Sequence, residues 1–301
     1  MTTVAPGTHA AGQVTHKPRF TNLLKAEWTK IRSVRSTLWT LIIFIGVSIG
    51  LTALLTWLVV KNLSVGQHGS GATGLINDPV NFILGTGFGL GQLAICVLGV
   101  LVITSEYSSG TIRASVLSVP KRIPILVAKA VVFAALVFVI AEAVSFCDFF
   151  LGAAIAHTRD LASANPVFNA VLAHNPQIRN GRITVSLSQP NVTRAVIGSG
   201  LYLTVLSLFA LAIGSLIRHT AGAIATVIGL VLVIFPLTNL LPSNWGAHTH
   251  AYMPTVAGVL ITNDKTTSGQ LLSAWQGFDV FCGWSALLLI IGGYLFYRRD
   301  A

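Results

Sequence analysis

Long apolar runs separated by polar segments constrain this chain more than any other feature. Six such runs cover residues 37–60, 82–104, 125–156, 195–217, 221–241 and 278–297. A helix of about 20 apolar residues is long enough to cross the hydrocarbon core of a bilayer. Charged residues make up 9% of the 301-residue chain, whereas a soluble protein carries about 25%. The sequence therefore predicts an all-α membrane protein with six transmembrane helices.

The residues before the first apolar run divide into two parts. Residues 1–19 are rich in Thr, Gly, Ala and His without an apolar period, which predicts a disordered cytoplasmic tail. Residues 20–36 place Trp28 and other apolar side chains in one helical sector, which predicts an amphipathic interfacial helix. Glu27 projects from that apolar sector. Either Lys30, one turn later, neutralises Glu27, or the helix tilts so that Glu27 reaches water.

The third apolar run is 32 residues long, too long for a single straight crossing, and it contains three charged side chains. Lys129 lies near the predicted cytoplasmic end, where a lysine can extend its ammonium toward water. Glu142 lies deep, so it is expected to face the bundle interior or a wet cavity. It either lines a transport path or makes a structural hydrogen bond. Asp148 is expected to be an interfacial carboxylate near the outer surface.

Four glycines alternate in the second apolar run, at positions 85, 87, 89 and 91, and form two GxxxG pairs. Small residues let helix backbones approach closely. The pattern indicates a tight helix contact, with a flexible segment lining a path as the alternative.

Two longer polar segments are predicted to lie outside the cell. Residues 157–194 contain three prolines and four arginines, and their short VSLS alternation does not predict a domain. Residues 242–276 are semi-apolar, but their apolar pieces are too short to cross a bilayer. This second segment is predicted to hold re-entrant or interfacial elements, since irregular backbone at depth must be shielded by protein or water.

The distribution of basic residues predicts the orientation. With the N-terminus inside, 13 of the 19 Lys and Arg residues lie on the cytoplasmic side and 6 lie outside. The long 157–194 segment supplies four of those six, and long loops follow the positive-inside rule weakly. Six spans then place both termini in the cytoplasm.

The polar stretch between the second and third runs, SEYSSGTIRASVLSVPKR, predicts a short surface helix. Gly110 permits a sharp turn, and the Thr111 hydroxyl can cap the first helical turn. Ile112 and Val116 share one helical face, with Arg113 off it. A helix held between two spans is placed to receive a force from outside the membrane.

The pattern Glu106-Tyr107-x-x-Gly110-Thr111-Ile112-Arg113, closed by Pro120-Lys121-Arg122, resembles the signature loop of ABC-2 type exporter permeases. The resemblance implies that this loop is a coupling helix that docks on a separate ATPase. The coupling residues implied are Glu106, Tyr107, Gly110, Thr111, Ile112, Arg113 and Val116. The run around Glu27, Trp28 and Lys30 resembles the amphipathic entry helix of the same family. The segment 242–276 resembles its external gate.

The resemblance further implies the function and the partners. The chain would be the membrane subunit of an ATP-driven exporter in a bacterial cell membrane, with residues 37–301 forming the six-helix permease domain. The expected partners are an ABC ATPase subunit, which would bind ATP and Mg²⁺, a second permease copy or close relative, and the lipid bilayer. This chain itself is expected to bind no cofactor or metal and to perform no catalysis.

The absence of catalytic motifs agrees with that expectation. The sequence contains no Walker A pattern and no H-E-x-x-H pattern, and the three cysteines predict neither a disulfide framework nor a metal site. The net charge of +10 is explained by membrane orientation rather than by nucleic-acid binding. Two alternatives remain: an ion-driven secondary transporter that uses Glu142, or a non-transporting membrane sensor or assembly protein.

Overall fold

Six long helices dominate the computed structural model, which describes residues 20–62, 70–108, 123–158, 177–179, 181–267 and 269–299. In these ranges, six helices are long and apolar enough to cross a membrane. They are α2 (Arg35–Asn62), α4 (Pro79–Ser108), α5 (Ile123–His157), α6 (Val192–Ile217), the segment Thr220–Leu240 that begins with α7 (Thr220–Gly229), and α11 (Ala274–Arg299). The prediction of an all-α multi-span membrane protein is confirmed.

Shorter elements connect these spans. They are α1 (Phe20–Ser33), α3 (Ser70–Asn77), β1 (Ile178–Arg179), β2 (Arg182–Ile183), α8 (Phe235–Leu237), α9 (Ser243–Ala251) and α10 (Pro254–Val259). The two strands form an antiparallel hairpin in which Ile178 lies opposite Ile183. The apolar pieces between Pro242 and Gln276 form only short helices, because none of them has the length of a span.

Helix α6 is the centre of the bundle. In its most apolar window, 78% of the residues are buried inside the protein, against 22% for α2, for the fifth span and for α11. Leu206 and Ala210 are completely buried. The spans around α6 expose their apolar side chains on the bundle's exterior, as lipid-facing helices do.

The glycines of α4 serve helix packing at two of the four positions. A Cβ at Gly87 would overlap the Asp148 carboxylate, and a Cβ at Gly91 would lie 3.2 Å from the Phe44 ring. Gly89 faces open space, and Gly85 has only the edge of a side chain near it. The predicted tight contact is therefore made by the Gly87/Gly91 pair alone.

Helix α5 is one unbroken helix of 35 residues. At 1.5 Å per residue it is about 52 Å long. This agrees with the sequence-based expectation that the run is longer than one straight crossing requires, and the extra turns continue the same helix.

The fifth span is irregular where the sequence contains Pro236. The five residues Leu230–Ile234 form a π-helical turn, followed by α8 and by a 3₁₀ turn at Thr238–Leu240. Proline has no N–H to donate, and its ring collides with the carbonyl one turn earlier. The wider turn just before the proline relieves that conflict.

Different elements meet at the two ends of the bundle. One end, termed the base, brings together α1, the Ser108 end of α4, the Ile123 end of α5 and the Ile217 end of α6. The opposite end holds α3, the hairpin and the loop after α10. There Gln177 Nε2 donates to Asp264 Oδ2 at 2.8 Å, and Arg194 Nη2 donates to the Asn263 carbonyl at 2.7 Å.

Candidate functional site

Four charged side chains from three helices meet at the base of the bundle. Lys129 Nζ on α5 donates to Glu27 Oε2 on α1 at 2.6 Å and to Glu106 Oε1 on α4 at 2.8 Å. Lys30 Nζ, also on α1, donates to Glu27 Oε1 at 2.9 Å and to Glu106 Oε1 at 3.4 Å. Each carboxylate therefore contacts both ammonium groups. These four residues are termed the base cluster.

Helical periodicity explains how α1 supplies two members of the base cluster. Glu27 and Lys30 are three residues apart, so their side chains lie on neighbouring positions of the helix surface. Glu27 and Ile31 are the buried residues of α1, and this helix packs against α5. The buried face of α1 is thus centred on Glu27, whereas Trp28 on the adjacent face is 47% exposed.

Burial makes the balance of charges in the base cluster important. The side chains of Lys129 and Glu27 are only 3% and 4% exposed, and that of Glu106 is 13% exposed. Two carboxylates and two ammonium groups cancel, so no net charge is left in the cluster. Losing one partner of a buried ion pair leaves an uncompensated charge, which is strongly destabilising.

The two groups of α1 show the effect of this balance on ionisation. Burial opposes ionisation of Glu27, but the nearby charges and hydrogen bonds of Lys129 and Lys30 outweigh it and hold the pKa of this carboxyl below its ordinary value. Burial likewise disfavours the charged form of Lys30, but Glu27 and Glu106 outweigh it and raise the pKa of the ammonium. Both residues are therefore charged at neutral pH.

A second contact joins the end of α4 to the turn between α6 and α7. The Arg218 guanidinium lies 5.1 Å from the centre of the Tyr107 ring, within the range of a cation–π interaction. Arg218 Nη2 also donates to the Leu295 carbonyl of α11 at 3.4 Å. Arg218 ends α6 with φ 61°, and its backbone N–H donates to the Gly214 carbonyl. Tyr107 thereby contacts the residue that links α6 and α11.

The structure brings part of the predicted site together. Glu27, Lys30, Glu106 and Tyr107 all lie at the base, whereas Trp28 lies on the exposed face of α1. The predicted coupling residues Gly110, Thr111, Ile112, Arg113 and Val116 lie outside the residues that the structure describes. Of the two interpretations of Glu27 that the sequence left open, the pairing with Lys30 is the correct one. The interpretation that the helix tilts to bring Glu27 to water is wrong, because Glu27 is 3% exposed.

Two members of this arrangement were not predicted as site residues. Lys129 was expected to extend toward water, but it is 2% exposed and bound to two carboxylates, because α1 covers it. The other member, Arg218, lies in the turn between α6 and α7. A signal for Lys129 existed in the sequence, since a lone lysine in an apolar run and a lone carboxylate in an apolar sector can neutralise each other.

Glu142 does not belong to the base cluster. Its two carboxylate oxygens are buried and have no hydrogen-bond partner among the described residues. A Cβ at Gly200 would lie 2.5 Å from Glu142 Oε1, so the carboxyl group packs directly on the α6 backbone. Glu142 faces the bundle interior, as its depth in the sequence predicted.

Asp148 is buried, which contradicts the prediction of an interfacial carboxylate. It is 3% exposed and accepts a hydrogen bond from Ser48 Oγ at 2.7 Å. Helix α2 packs against α5 and covers this side chain. The position of Asp148 along α5 predicts how deep the residue lies in the membrane. It does not predict which face of α5 the neighbouring span covers.

No protein-family model matches the chain, and the chain matches no curated protein. Across the ranges that the structure describes, no three His, Cys, Asp or Glu side chains are grouped so that they could hold a metal ion. The site must therefore be interpreted from its own geometry.

Proposed function

We propose that the chain is the permease subunit of an ABC-2 type exporter and couples ATP hydrolysis in a separate ATPase subunit to export across the cell membrane. One observation carries the proposal: buried ion pairs join both helix ends that flank the candidate coupling loop. Glu106 lies two residues before the end of α4, and Lys129 lies in the second turn of α5. The 2.8 Å contact between them joins the two ends, and the hydrogen bond from Lys129 to Glu27 joins them to α1.

In this proposal the base cluster transmits the force that the ATPase applies. Residues 109–122 connect the two helix ends, so a push on this loop acts on α4 and α5 together. Separating the ends would expose buried charges without partners, which costs several kcal/mol. The helices therefore move as one unit with α1. The contact of Tyr107 with Arg218 extends that unit to α6 and α11.

The orientation and the partners form part of the proposal. The base faces the cytoplasm, which is supported by the excess of Lys and Arg on that side of the predicted topology. Both termini are then cytoplasmic. The ATPase subunit binds ATP and Mg²⁺, since this chain has no Walker A pattern. A second permease copy, or a close relative, completes the membrane channel.

Co-purification tests the partnership. The chain carrying an affinity tag is expressed in its native cells, extracted in mild detergent and analysed by mass spectrometry. We expect an ATPase with a Walker A motif to co-purify with it, and Ile112→Ala to reduce the recovery. A matched control is Ile42→Ala, which truncates an exposed apolar residue in the third turn of α2. Recovery of the same ATPase at equal yield from all three samples would contradict docking at the loop.

An ion-driven secondary transporter is the second candidate, and the buried carboxylate of Glu142 favours it. An acidic side chain inside a membrane bundle without a basic partner can carry a proton across a transport cycle. The two candidates differ in energy source. Transport by sealed vesicles that persists without ATP and stops when the proton gradient is dissipated would select the secondary transporter.

A further inference from the structure

A small cavity lies between α2, α4, α5 and α6. Its polar wall consists of Ser48 from α2, Ser145 and Asp148 from α5, and Ser199 from α6, and apolar side chains such as Phe88 close the remainder. The space accommodates about one particle the size of a water molecule. Every polar side chain in the wall is buried, with exposures between 1% and 4%.

The three serine hydroxyl groups in the cavity wall each donate their hydrogen to a protein oxygen. Ser48 Oγ donates to Asp148 Oδ2 at 2.7 Å. Ser145 Oγ donates to the Val196 carbonyl at 2.7 Å, and Ser199 Oγ donates to the Ala195 carbonyl at 2.9 Å. A hydroxyl has one hydrogen and two lone pairs. The three serines therefore present only lone pairs to the cavity.

The remaining polar atom of the wall is a carboxylate oxygen. Asp148 Oδ1 is buried and has no hydrogen-bond partner, and no ion pair to Asp148 occurs among the described residues. The neighbouring hydroxyl of Thr52, which is completely buried, also donates to the Asp148 carboxylate. Two hydroxyl groups therefore contact this carboxylate, but a buried charge without an opposite charge is expensive in an apolar bundle. The wall therefore offers one negative charge and several oxygen lone pairs, but no donor directed into the space.

We propose that this cavity binds one small monovalent cation of the size of Na⁺, held by Asp148 with the oxygens of Ser48, Ser145 and Ser199. Water could donate to these acceptors but would leave the carboxylate charge unbalanced, whereas a cation both binds the oxygens and neutralises the charge. One carboxylate balances a single positive charge, whereas a divalent ion would leave excess charge inside the bundle. The inference concerns the bundle alone and is independent of the ATPase partnership.

Thermal unfolding in the presence of different cations tests the site. The purified chain in lipid nanodiscs is heated in NaCl, KCl or choline chloride at equal ionic strength. A ligand that binds the folded state raises the Tm as its concentration exceeds Kd. We expect NaCl to raise the Tm over choline chloride by on the order of 5 °C at saturation. Binding of ²²Na⁺ should approach one ion per chain.

Two variants locate the effect. Asp148→Asn should abolish both the Na⁺-dependent shift and ²²Na⁺ binding. Ser199→Ala removes one oxygen that faces the cavity, and the only hydrogen bond it loses is within its own helix. The variant should therefore fold. It should need about tenfold more Na⁺ for the same shift in Tm. The matched control is Ser207→Ala on the same helix, where a completely buried serine donates to the Thr204 carbonyl away from the cavity. It should behave as the wild type does.

Three results would overturn the site. Equal Tm values in NaCl and choline chloride would show that no cation binds. A Tm that responds to pH but not to Na⁺ or K⁺ would mean that Asp148 carries a proton instead. A Na⁺ shift that survives in both Asp148→Asn and Ser199→Ala would place the ion elsewhere.

Discussion

The ammonium of Lys129 lies 2.6 Å from a carboxylate oxygen of Glu27, although 102 residues separate them in the chain. Both side chains are almost completely buried. This contact attaches the short helix α1 to the longest span of the bundle. It also makes α1 part of the same charge-balanced unit as the end of α4, since Glu106 accepts from the same ammonium.

Removing the charge of Lys129 should destabilise the protein. Lys129→Met keeps an unbranched side chain but leaves Glu27 and Glu106 with only the half-exposed Lys30. The expected loss is about 3–5 kcal/mol, as for other buried ion pairs broken on one side. Differential scanning fluorimetry of purified protein measures the drop in Tm. The control Lys25→Met changes an exposed lysine on α1 and should leave the Tm unchanged. A Tm equal to that of the wild type in Lys129→Met would contradict the importance of the cluster.

The ring of Tyr107, rather than its hydroxyl, should matter for the contact with Arg218. Tyr107→Phe keeps the aromatic face, whereas Tyr107→Leu removes it. We expect the free energy of unfolding of Tyr107→Leu to be about 0.5–2 kcal/mol lower than that of Tyr107→Phe. In vesicles with the partner ATPase, the Leu variant should hydrolyse ATP with less substrate moved per ATP. Similar behaviour of the two variants would remove Tyr107 from the proposed transmission of force.

The loop and the base cluster should fail in different ways. Ile112→Ala should weaken ATPase binding by about thirtyfold, which corresponds to about 2 kcal/mol for one well-packed interface anchor. Glu106→Gln should keep ATPase binding but lower transport, because the affected contact lies within the permease. Affinity is measured by titrating detergent-solubilised ATPase onto nanodiscs. If a Cys at position 113 reacts from outside intact cells with a membrane-impermeant reagent, the orientation is reversed and the docking proposal fails.

Glu142 should affect transport without affecting folding. The carboxylate oxygens of Glu142 have no hydrogen-bond partner among the described residues. Glu142→Gln therefore keeps the shape of the side chain without breaking a hydrogen bond to them. If Glu142 lines the transport path, the variant should be produced at the wild-type level and transport at an altered rate per molecule. Reduced yield with normal transport per molecule would instead indicate a structural role.

The end of the bundle opposite the base should become less stable as the pH rises. Burial, together with the hydrogen bond and negative charge of Asp264, raises the pKa of Asp78 to about 6 from an ordinary value of 3.8, while the Asn81 N–H and the charge of Lys265 act in the opposite direction. A carboxyl whose pKa is higher in the folded state binds its proton more tightly there. Its stabilising contribution is therefore complete below about pH 4 and is lost as the pH passes about 6.

Comparison of the wild type with Asp78→Asn isolates this effect. The Tm of the variant minus that of the wild type should increase between about pH 4 and pH 6 and become constant above pH 7. Hydrogen exchange should assign the change to the start of α4 and the loop that contains Asp264. A Tm difference that is independent of pH would show that the two carboxyls do not share a proton.

Sequence reasoning succeeded where the physics is local. The length and apolarity of each run decide whether a helix can span a bilayer, so all six spans were predicted to within a few residues. The irregularity of the fifth span is local too, because Pro236 acts on its own helix. The continuity of α5 has a local cause as well, because no glycine or proline lies between residues 125 and 151 to interrupt the helix.

The candidate site was predictable only in part. Glu27 and Lys30 are one helical turn apart, and their pairing follows from that spacing. The contacts to Lys129 and Glu106 depend on how three helices pack, which no local pattern encodes. The burial of Asp148 was misjudged for the same reason. Its partner Ser48 lies 100 positions earlier on another helix.

Because α5 is continuous, one helix connects the two polar sites of the bundle. Lys129 at the base and Asp148 in the cavity wall are 19 residues apart on this helix, so about 28 Å of unbroken helix separates them. Tilting such a rod by about 5° about its base displaces the far residue by about 2.5 Å. That displacement is comparable to the 2.7 Å hydrogen bond between Ser48 and Asp148, so a tilt of α5 relative to α2 by this angle would break the bond.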